Sequence, residues 1–288
     1  MNIPFLKMHG AANDFVVVDH RAPFLPNTAG SLESLVRRLC DRRRGIGADG
    51  VLLLEGDAGL DFAMRYFNAD GRGAEFCGNG ARCLARLALD LGLGRAGTVD
   101  FRTAVGRMRA RRGPGGRGIE LHFGRVERCG PVETVAAAGR EFSGRLVQPG
   151  VPHFVVPVER VEWVPVDDWG AALRQHPRFG PAGANVDFVA RLAPGRVAMR
   201  TYERGVEAET LACGSGAMAA AVWAAAEGDP APIAVLTAGG DELSVDLGPV
   251  DGDREGGTDV SLTGPADVVF AGTWTEGVPV TGIGAAAG

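Results

Sequence analysis

Two cysteines lie in near-identical glycine frames: Cys77 in Phe76-Cys77-Gly78-Asn79-Gly80-Ala81, and Cys213 in Ala212-Cys213-Gly214-Ser215-Gly216-Ala217. Each opens a run that reads as a helix. Each follows an acidic residue (Glu75; Glu209) and a tyrosine-led polar stretch (Tyr66-Phe67-Asn68-Ala69-Asp70-Gly71; Tyr202-Glu203-Arg204-Gly205). A thiol at a helix N-terminus feels the positive end of the helix dipole, which favours the thiolate. The glycines leave the first backbone N–H groups approachable, and such groups hold an anion. Two facing copies would grip one carboxylate, with a sulfur above and a sulfur below the neighbouring carbon. The hydrogen α to a carboxylate is very weakly acidic, so its removal needs donors aimed in advance at the charge that develops. One thiolate takes that proton, the other thiol gives one to the opposite face, and the stereocentre inverts. A single Cys-Gly-x-Gly marks no more than a helix start; two copies in matching contexts favour the chemistry.

The elements that must position these thiols repeat in order. In the first half, strands are predicted at Phe15–Val18, Val51–Leu54 and Phe62–Phe67. Leu32, Leu35, Val36 and Leu39 have helical spacing, with Ser31 as N-cap. A helix over Asn79–Leu91 carries Leu84, Leu87 and Leu91 on one stripe and an Arg86/Asp90 pair on another. Gly92 and Gly94 end it, and short strands run from Val99 to Phe123 around a tip at Gly113-Pro114-Gly115-Gly116. In the second half, strands at Arg145–Val147, Phe154–Pro157, Asn185–Ala190 and Val197–Tyr202, with a short helix near Asp167–Gln175, lead to Cys213. The following helix, Gly216–Glu227, is nearly all alanine, which predicts burial on every side. Ile233–Leu236 and Leu243–Leu247 form a hairpin, Asp251–Gly257 a polar loop, and Gly282–Gly288 a disordered tail. The cysteines sit about half the chain apart, so a duplicated unit is expected.

The chain has 288 residues, 45% hydrophobic and 23% charged, which fits an ordinary globular protein of one or two domains. A net charge of −5 argues against a nucleic-acid surface, and Arg42-Arg43-Arg44 reads as a solvated face. The apolar run from Gly216 to Ala226 is too short to cross a bilayer, and the N-terminus lacks a signal-peptide pattern. Five cysteines without a disulfide framework point to a reducing, cytoplasmic setting. Neither the cysteines nor the scattered histidines have zinc-ligand spacing, so no metal is expected. Gly45-Ile46-Gly47-Ala48-Asp49-Gly50 matches a dinucleotide fingerprint literally, but it follows arginines and precedes a strand, the wrong context for phosphate. Alone, His153 reads as structural, and Glu203-Arg204 as a surface ion pair. Cys40, Cys83 and Cys129 lack the glycine frame and read as packing residues.

Over nearly its whole length the chain resembles the diaminopimelate epimerase family. The resemblance is carried by Phe5-Leu6-Lys7-Met8-His9-Gly10-Ala11-Ala12-Asn13-Asp14-Phe15, Gly45–Gly50, Phe67–Gly71, Cys77–Cys83, Pro152-His153, Asn185-Val186, Glu203–Gly205, Glu209–Gly216 and Thr263–Ala266. It implies an α/β fold of the α+β type. Two pseudo-symmetric halves each wrap a mostly antiparallel sheet around a central helix, with the active site between them. The halves would be 1–124, with 266–288 returning to it, and 125–265. The resemblance implies a cofactor-independent isomerase that interconverts LL- and meso-diaminopimelate for lysine and peptidoglycan precursors. Cys77 and Cys213 would be the catalytic thiols, supported by His153 and Glu203. Backbone N–H groups of Gly78, Asn79, Gly214 and Ser215 would hold the reacting carboxylate. Asn13, Asn68, Asn185, Glu203 and Arg204 would bind mostly the distal end of the substrate, where arginine can grip both carboxylate oxygens. A homodimer is implied, with Phe270 near the contact. Three departures bear on specificity: Val151 where the family often has Asn, Gly50 where many members have Gln, and a Gly205–Glu209 loop one residue longer. The alternatives are a proline, hydroxyproline or histidine racemase of the same fold, and a non-catalytic amino-acid-binding protein.

Overall fold

The computed structural model describes residues 1–26, 29–127, 129–248 and 257–275. The predicted terminal tail and all of the predicted polar loop except Gly257 lie outside the described residues.

The chain builds one pattern twice. The first copy runs β1 (Asn2–Gly10), β2 (Asn13–Asp19), α1 (Ala29–Cys40), β3 (Gly50–Glu55), β4 (Phe62–Asn68), β5 (Gly73–Ala74), α2 (Gly78–Asp90), β6 (Thr98–Thr103), β7 (Gly106–Arg112) and β8 (Ile119–Glu127). After β9 (Val132–Ala137) the second copy runs β10 (Arg140–Val147), β11 (His153–Pro157), α3 (Val166–Arg174), β12 (Asn185–Ala193), β13 (Arg196–Glu203), β14 (Ala208–Thr210), α4 (Gly214–Ala226), β15 (Ile233–Leu236), β16 (Glu242–Leu247) and β17 (Gly257–Gly264). The last described strand is β18 (Asp267–Thr275).

Strand pairing repeats element for element. β1–β2 and β10–β11 are antiparallel, β2–β3 and β11–β12 parallel, β3–β4 and β12–β13 antiparallel. The same holds for parallel β4–β6 and β13–β15, then antiparallel β6–β7–β8 and β15–β16–β17. The copies join where β8 pairs with β17, and β18 returns to pair with β1 as β9 pairs with β10. The architecture is therefore α+β, mostly antiparallel, with α2 and α4 each packed against the strands of its own copy.

The parallel pair β2–β3 reads as nearly continuous hydrophobic runs because both faces are buried. Val17, Leu52 and Leu54 pack towards α2, while Val16, Val18, Val51 and Leu53 pack with Leu32, Leu35, Val36 and Leu39 of α1. On α2, Ala81, Leu84, Ala85 and Ala88 are fully buried. On α4, Ala217, Ala219, Ala220, Ala221 and Ala224 are fully buried, as its small residues predict. Two sequence expectations are corrected. Leu91 is 43% exposed, because the helix ends at Asp90 and Leu91 caps it instead of extending the stripe. Ser31 lies inside α1, which begins at Ala29, and so is not its N-cap.

The β1–β2 turn places Ala11 and Ala12 at φ of 56° and 60°. This left-handed conformation costs a non-glycine residue roughly 1–2 kcal/mol. Ala11 is buried in the core, whereas Ala12 is exposed. Ala12→Gly is expected to raise unfolding free energy by about 0.5 kcal/mol, the relieved strain less glycine's entropy cost. A higher thermal midpoint checks it.

Candidate functional site

Cys77 is the N-cap of α2, with extended φ/ψ of −144° and 116°, and Cys213 is the N-cap of α4 at −125° and 114°. At both positions the cysteine carbonyl accepts the first intrahelical bond, from Ala81 N–H (2.8 Å) and Ala217 N–H (2.9 Å). Each thiol thus stands at a helix mouth where the first N–H groups have no intrahelical partner. The helix dipole alone predicts easy ionisation, but burial wins. It pushes Cys77 up against the Gly80 and Asn79 N–H groups and the Arg82 guanidinium. It pushes Cys213 well up, with Glu203 and Asp187 adding to the effect and Ser215 and Gly216 opposing it. Desolvation penalises the thiolate more than the dipole rewards it.

Around Cys77, Asn13 is held by its neighbours. Its amide N–H donates to Asp49 (2.7 Å), so its oxygen faces the Cys77 sulfur (3.5 Å) and the Asn79 amide (3.4 Å). Arg42, predicted to be a merely solvated face, is tied in. It donates to Asp14 and Asp49, each at 2.7 Å, and Lys7 also pairs with Asp14. Burial raises the Asp14 carboxyl, but Arg42 and Lys7 outweigh it and hold it below the usual carboxylate range. Asn79 also accepts from Arg82 at 2.7 Å. Arg82 is fully buried, and its Nη1 has no hydrogen-bond partner among the described residues.

Around Cys213 the environment is more polar. Gly216 N–H donates to its sulfur (3.4 Å) and the Ser215 hydroxyl lies 3.4 Å away. Ser215 reaches His153 Nε2 (2.9 Å), and His153 Nδ1 reaches Asp187 (2.7 Å). Asp187 accepts from the Thr201 hydroxyl (2.7 Å), and the Asn185 amide nitrogen lies 3.1 Å from His153 Nε2. His153 and Asp187 are fully buried.

The other predicted residues flank these groups. Glu203 accepts from Thr210 (2.9 Å), and its carboxyl is raised by burial, against Thr210 and His153. It makes no ion pair with Arg204. The Arg204 backbone N–H donates to Asn185 Oδ1 (2.7 Å), while its guanidinium has no hydrogen bond or ion pair among the described residues. Asn68 is exposed at the end of β4, opposite Gly50. A β-carbon at Gly50 would lie 2.5 Å from the Phe67 carbonyl and 2.7 Å from the Tyr66 ring, so a longer side chain has no room there without backbone movement. Gly78 and Gly214 face loose or open space, where a β-carbon would meet nothing closer than 3.7 Å. The two copies meet at segments adjoining the site: a β-carbon at Gly239 would touch both Leu211, two residues before Cys213, and Ala12, next to Asn13.

Sequence reasoning missed Asp187, Thr201 and Asp49. The signal for Asp187 was present: one acid inside the apolar run Val186-Asp187-Phe188-Val189. Cys40 and Cys83 are pushed up to about 12, and Cys129 to about 11, by burial, in keeping with packing roles. Among the described residues no three His, Cys, Asp or Glu side chains cluster to hold a metal, and no helix is long and apolar enough to cross a membrane.

The family model described as diaminopimelate epimerase matches residues 5–128 and 145–266. A diaminopimelate epimerase from Aquifex aeolicus (strain VF5) is 40% identical over 283 residues, covering 95% of this chain and 98% of the relative. Among solved structures, a phenazine biosynthesis protein of the PhzF family from Bacillus anthracis superposes with a TM-score of 0.70 at 15% identity, covering 96% of this chain and 99% of that one. A hydroxyproline epimerase from Agrobacterium vitis superposes with a TM-score of 0.63 at 20% identity, covering 96% and 94%. At those identities the two structures are alike in fold.

Proposed function

This chain belongs to the diaminopimelate epimerase family, and on that premise we propose that it interconverts LL- and meso-2,6-diaminopimelate by passing the α-proton between Cys77 and Cys213. The observation that carries the reading is the matched pair of thiol N-caps on two helices of a duplicated fold. The N–H groups opening both helices hold the reacting carboxylate, through Gly78, Asn79, Gly214 and Ser215, and spread the charge that develops as the Cα–H bond breaks. One thiolate takes the Cα proton and becomes a thiol; the opposite thiol delivers its proton to the other face and becomes a thiolate. Atoms and charge balance within the pair, so the reading calls for no cofactor. His153 and Glu203 act on the thiols. Asn13, Asn68, Asn185, Glu203 and Arg204 bind substrate, and the Arg204 guanidinium, unengaged among the described residues, suits the distal carboxylate.

The working units in this reading are 1–124 with 266–288, and 125–265. They act as a homodimer through β18, where Val268, Val269 and Phe270 are exposed. A reducing cytoplasm keeps the five cysteines free.

The test is NMR in deuterated buffer with reductant, using LL-diaminopimelate, proline and histidine without added cofactor. Deuterium at one α position of diaminopimelate, with meso product, is the expected result. Exchange only with proline or histidine would reassign the substrate, and no exchange by folded, reduced protein would remove the epimerase reading.

A further inference from the structure

The two thiols stand at equivalent positions, but what lies beneath them differs. Register aligns the copies: β2 pairs Phe15 with Gly50, and β11 pairs His153 with Asn185. Likewise Tyr66 pairs with Ala74 three residues before Cys77, and Thr201 with Thr210 three residues before Cys213. The counterparts of His153, Asp187 and Thr201 are therefore Phe15, Leu52 and Tyr66. The Leu52–Asp187 correspondence appears again in the nearest contact of a β-carbon at Gly80 and at Gly216: Leu52 at 2.9 Å under α2, and Asp187 at 2.6 Å under α4. A buried His–Asp pair underlies one thiol only, and burying such a pair is costly unless each polar atom is engaged.

The hydrogen-bond polarity of that network is determined from its edge. Arg204 N–H can only donate, so the Asn185 atom facing it is the oxygen. The Asn185 atom facing His153 Nε2 is then the NH₂ group, a donor, and Nε2 must accept. His153 therefore carries its proton on Nδ1, donated to Asp187, and is neutral. Asp187 is steadied by the Thr201 hydroxyl. With Nε2 accepting, the Ser215 hydroxyl, at the shorter distance of 2.9 Å, turns its hydrogen to the ring and leaves its oxygen to accept the S–H of Cys213.

We propose that Asp187 is a positioning residue that, braced by Thr201, locks His153 as the neutral Nδ1–H tautomer and thereby makes Cys213 the proton-carrying thiol of the resting pair. The logic is that of a carboxylate that selects a histidine tautomer for the group beyond it, here applied through Ser215 to a sulfur. The charges facing the sulfur point the same way: Glu203 and Asp187 both disfavour a Cys213 thiolate, and they act against the Gly216 N–H donated to it at 3.4 Å. Cys77 instead has the Gly80 and Asn79 N–H groups and the Arg82 guanidinium favouring its anion, opposed by Glu203 and by the Asn13 oxygen, which accepts from the thiol at 3.5 Å.

The proposal deepens the two-thiol reading, and its test does not depend on turnover. In ¹⁵N-histidine-labelled protein, a two-bond ¹H–¹⁵N correlation reads each ring's tautomer, with His153 assigned by the set lost in His153→Gln. The wild-type protein is expected to show His153 protonated on Nδ1 and bare on Nε2 at neutral pH. A ring protonated on Nε2, or on both nitrogens, would overturn the proposal with no variant needed. In parallel, mapped iodoacetamide labelling against pH is expected to modify Cys77 at lower pH than Cys213. In Asp187→Asn the Cys213 midpoint should fall on the order of one pH unit, with Thr201→Val shifting it less. An unmoved Cys213 midpoint in folded Asp187→Asn protein would refute the link. Failure of the exchange experiment above alongside the expected tautomer would remove the epimerase reading and leave the network standing.

Discussion

Cys77→Ser and Cys213→Ser are each expected to lower kcat by roughly 10²–10⁴-fold, the usual worth of a positioned acid or base, while leaving ligand affinity nearly unchanged. A serine hydroxyl fills almost the same space and leaves the helix N–H groups in place, so the carboxylate site survives. What it loses is acidity, since an alcohol gives up its proton far less readily than a thiol. Isothermal titration with substrate alongside turnover separates the two effects. Loss of binding in step with loss of turnover would recast the cysteines as binding residues, and undiminished turnover would end the two-thiol reading. The pH dependence follows from the same geometry. Burial raises both thiols above their ordinary value. The thiolate is thus lost as pH falls through that raised value, and kcat/KM should decline steadily towards acid. At high pH the donor thiol ionises too, so the profile should turn over.

Gly216→Ala is expected to damage both turnover and stability, because its added methyl strikes the network beneath Cys213. Its β-carbon would lie 2.6 Å from Asp187 Oδ1, 3.1 Å from the Thr201 hydroxyl and 3.3 Å from the Cys213 β-carbon. None of these can retreat cheaply: Asp187 is fully buried, and Thr201 nearly so. Overpacking of this kind costs about 1–3 kcal/mol, and displacing Asp187 also frees His153 to turn. Turnover should fall by at least tenfold alongside the lost stability. Gly214→Ala is the control, because its β-carbon meets nothing within 4 Å. Its unfolding free energy should change by no more than about 0.5 kcal/mol. Equal thermal shifts for the two variants would show that the space beneath Gly216 is not as tight as the distances say.

How far the site was legible can be judged residue by residue. Cys77 and Cys213 were legible because a thiol, two glycines and a helix start form a local signal, and both fall at N-caps. The α4 core was legible from its alanines, and α2 from its leucines up to Leu87. Leu91 was misread because periodicity does not say where a helix stops. Ser31 was misread because a good cap residue is not always used as one. Arg42 was misread because a charge run shows nothing of the carboxylates that loops bring to it; Asp14 and Asp49 come from β2 and from the segment before β3.

The family, the paired thiols and the duplicated order of elements were determined by the amino-acid sequence itself. Each rests on short-range pattern: a motif within a few residues, or periodicity within one element. The inequality of the two thiols was decided only by the tertiary structure. Phe15, Leu52 and Tyr66 look like ordinary core residues, and His153, Asp187 and Thr201 look like three scattered polar ones. Strand register gathers each set beneath one helix mouth. Burial then turns chemically modest side chains into a network in which an unmatched polar atom is costly. Local sequence can start two equal helices, but only the packing beneath them makes one thiol differ from the other.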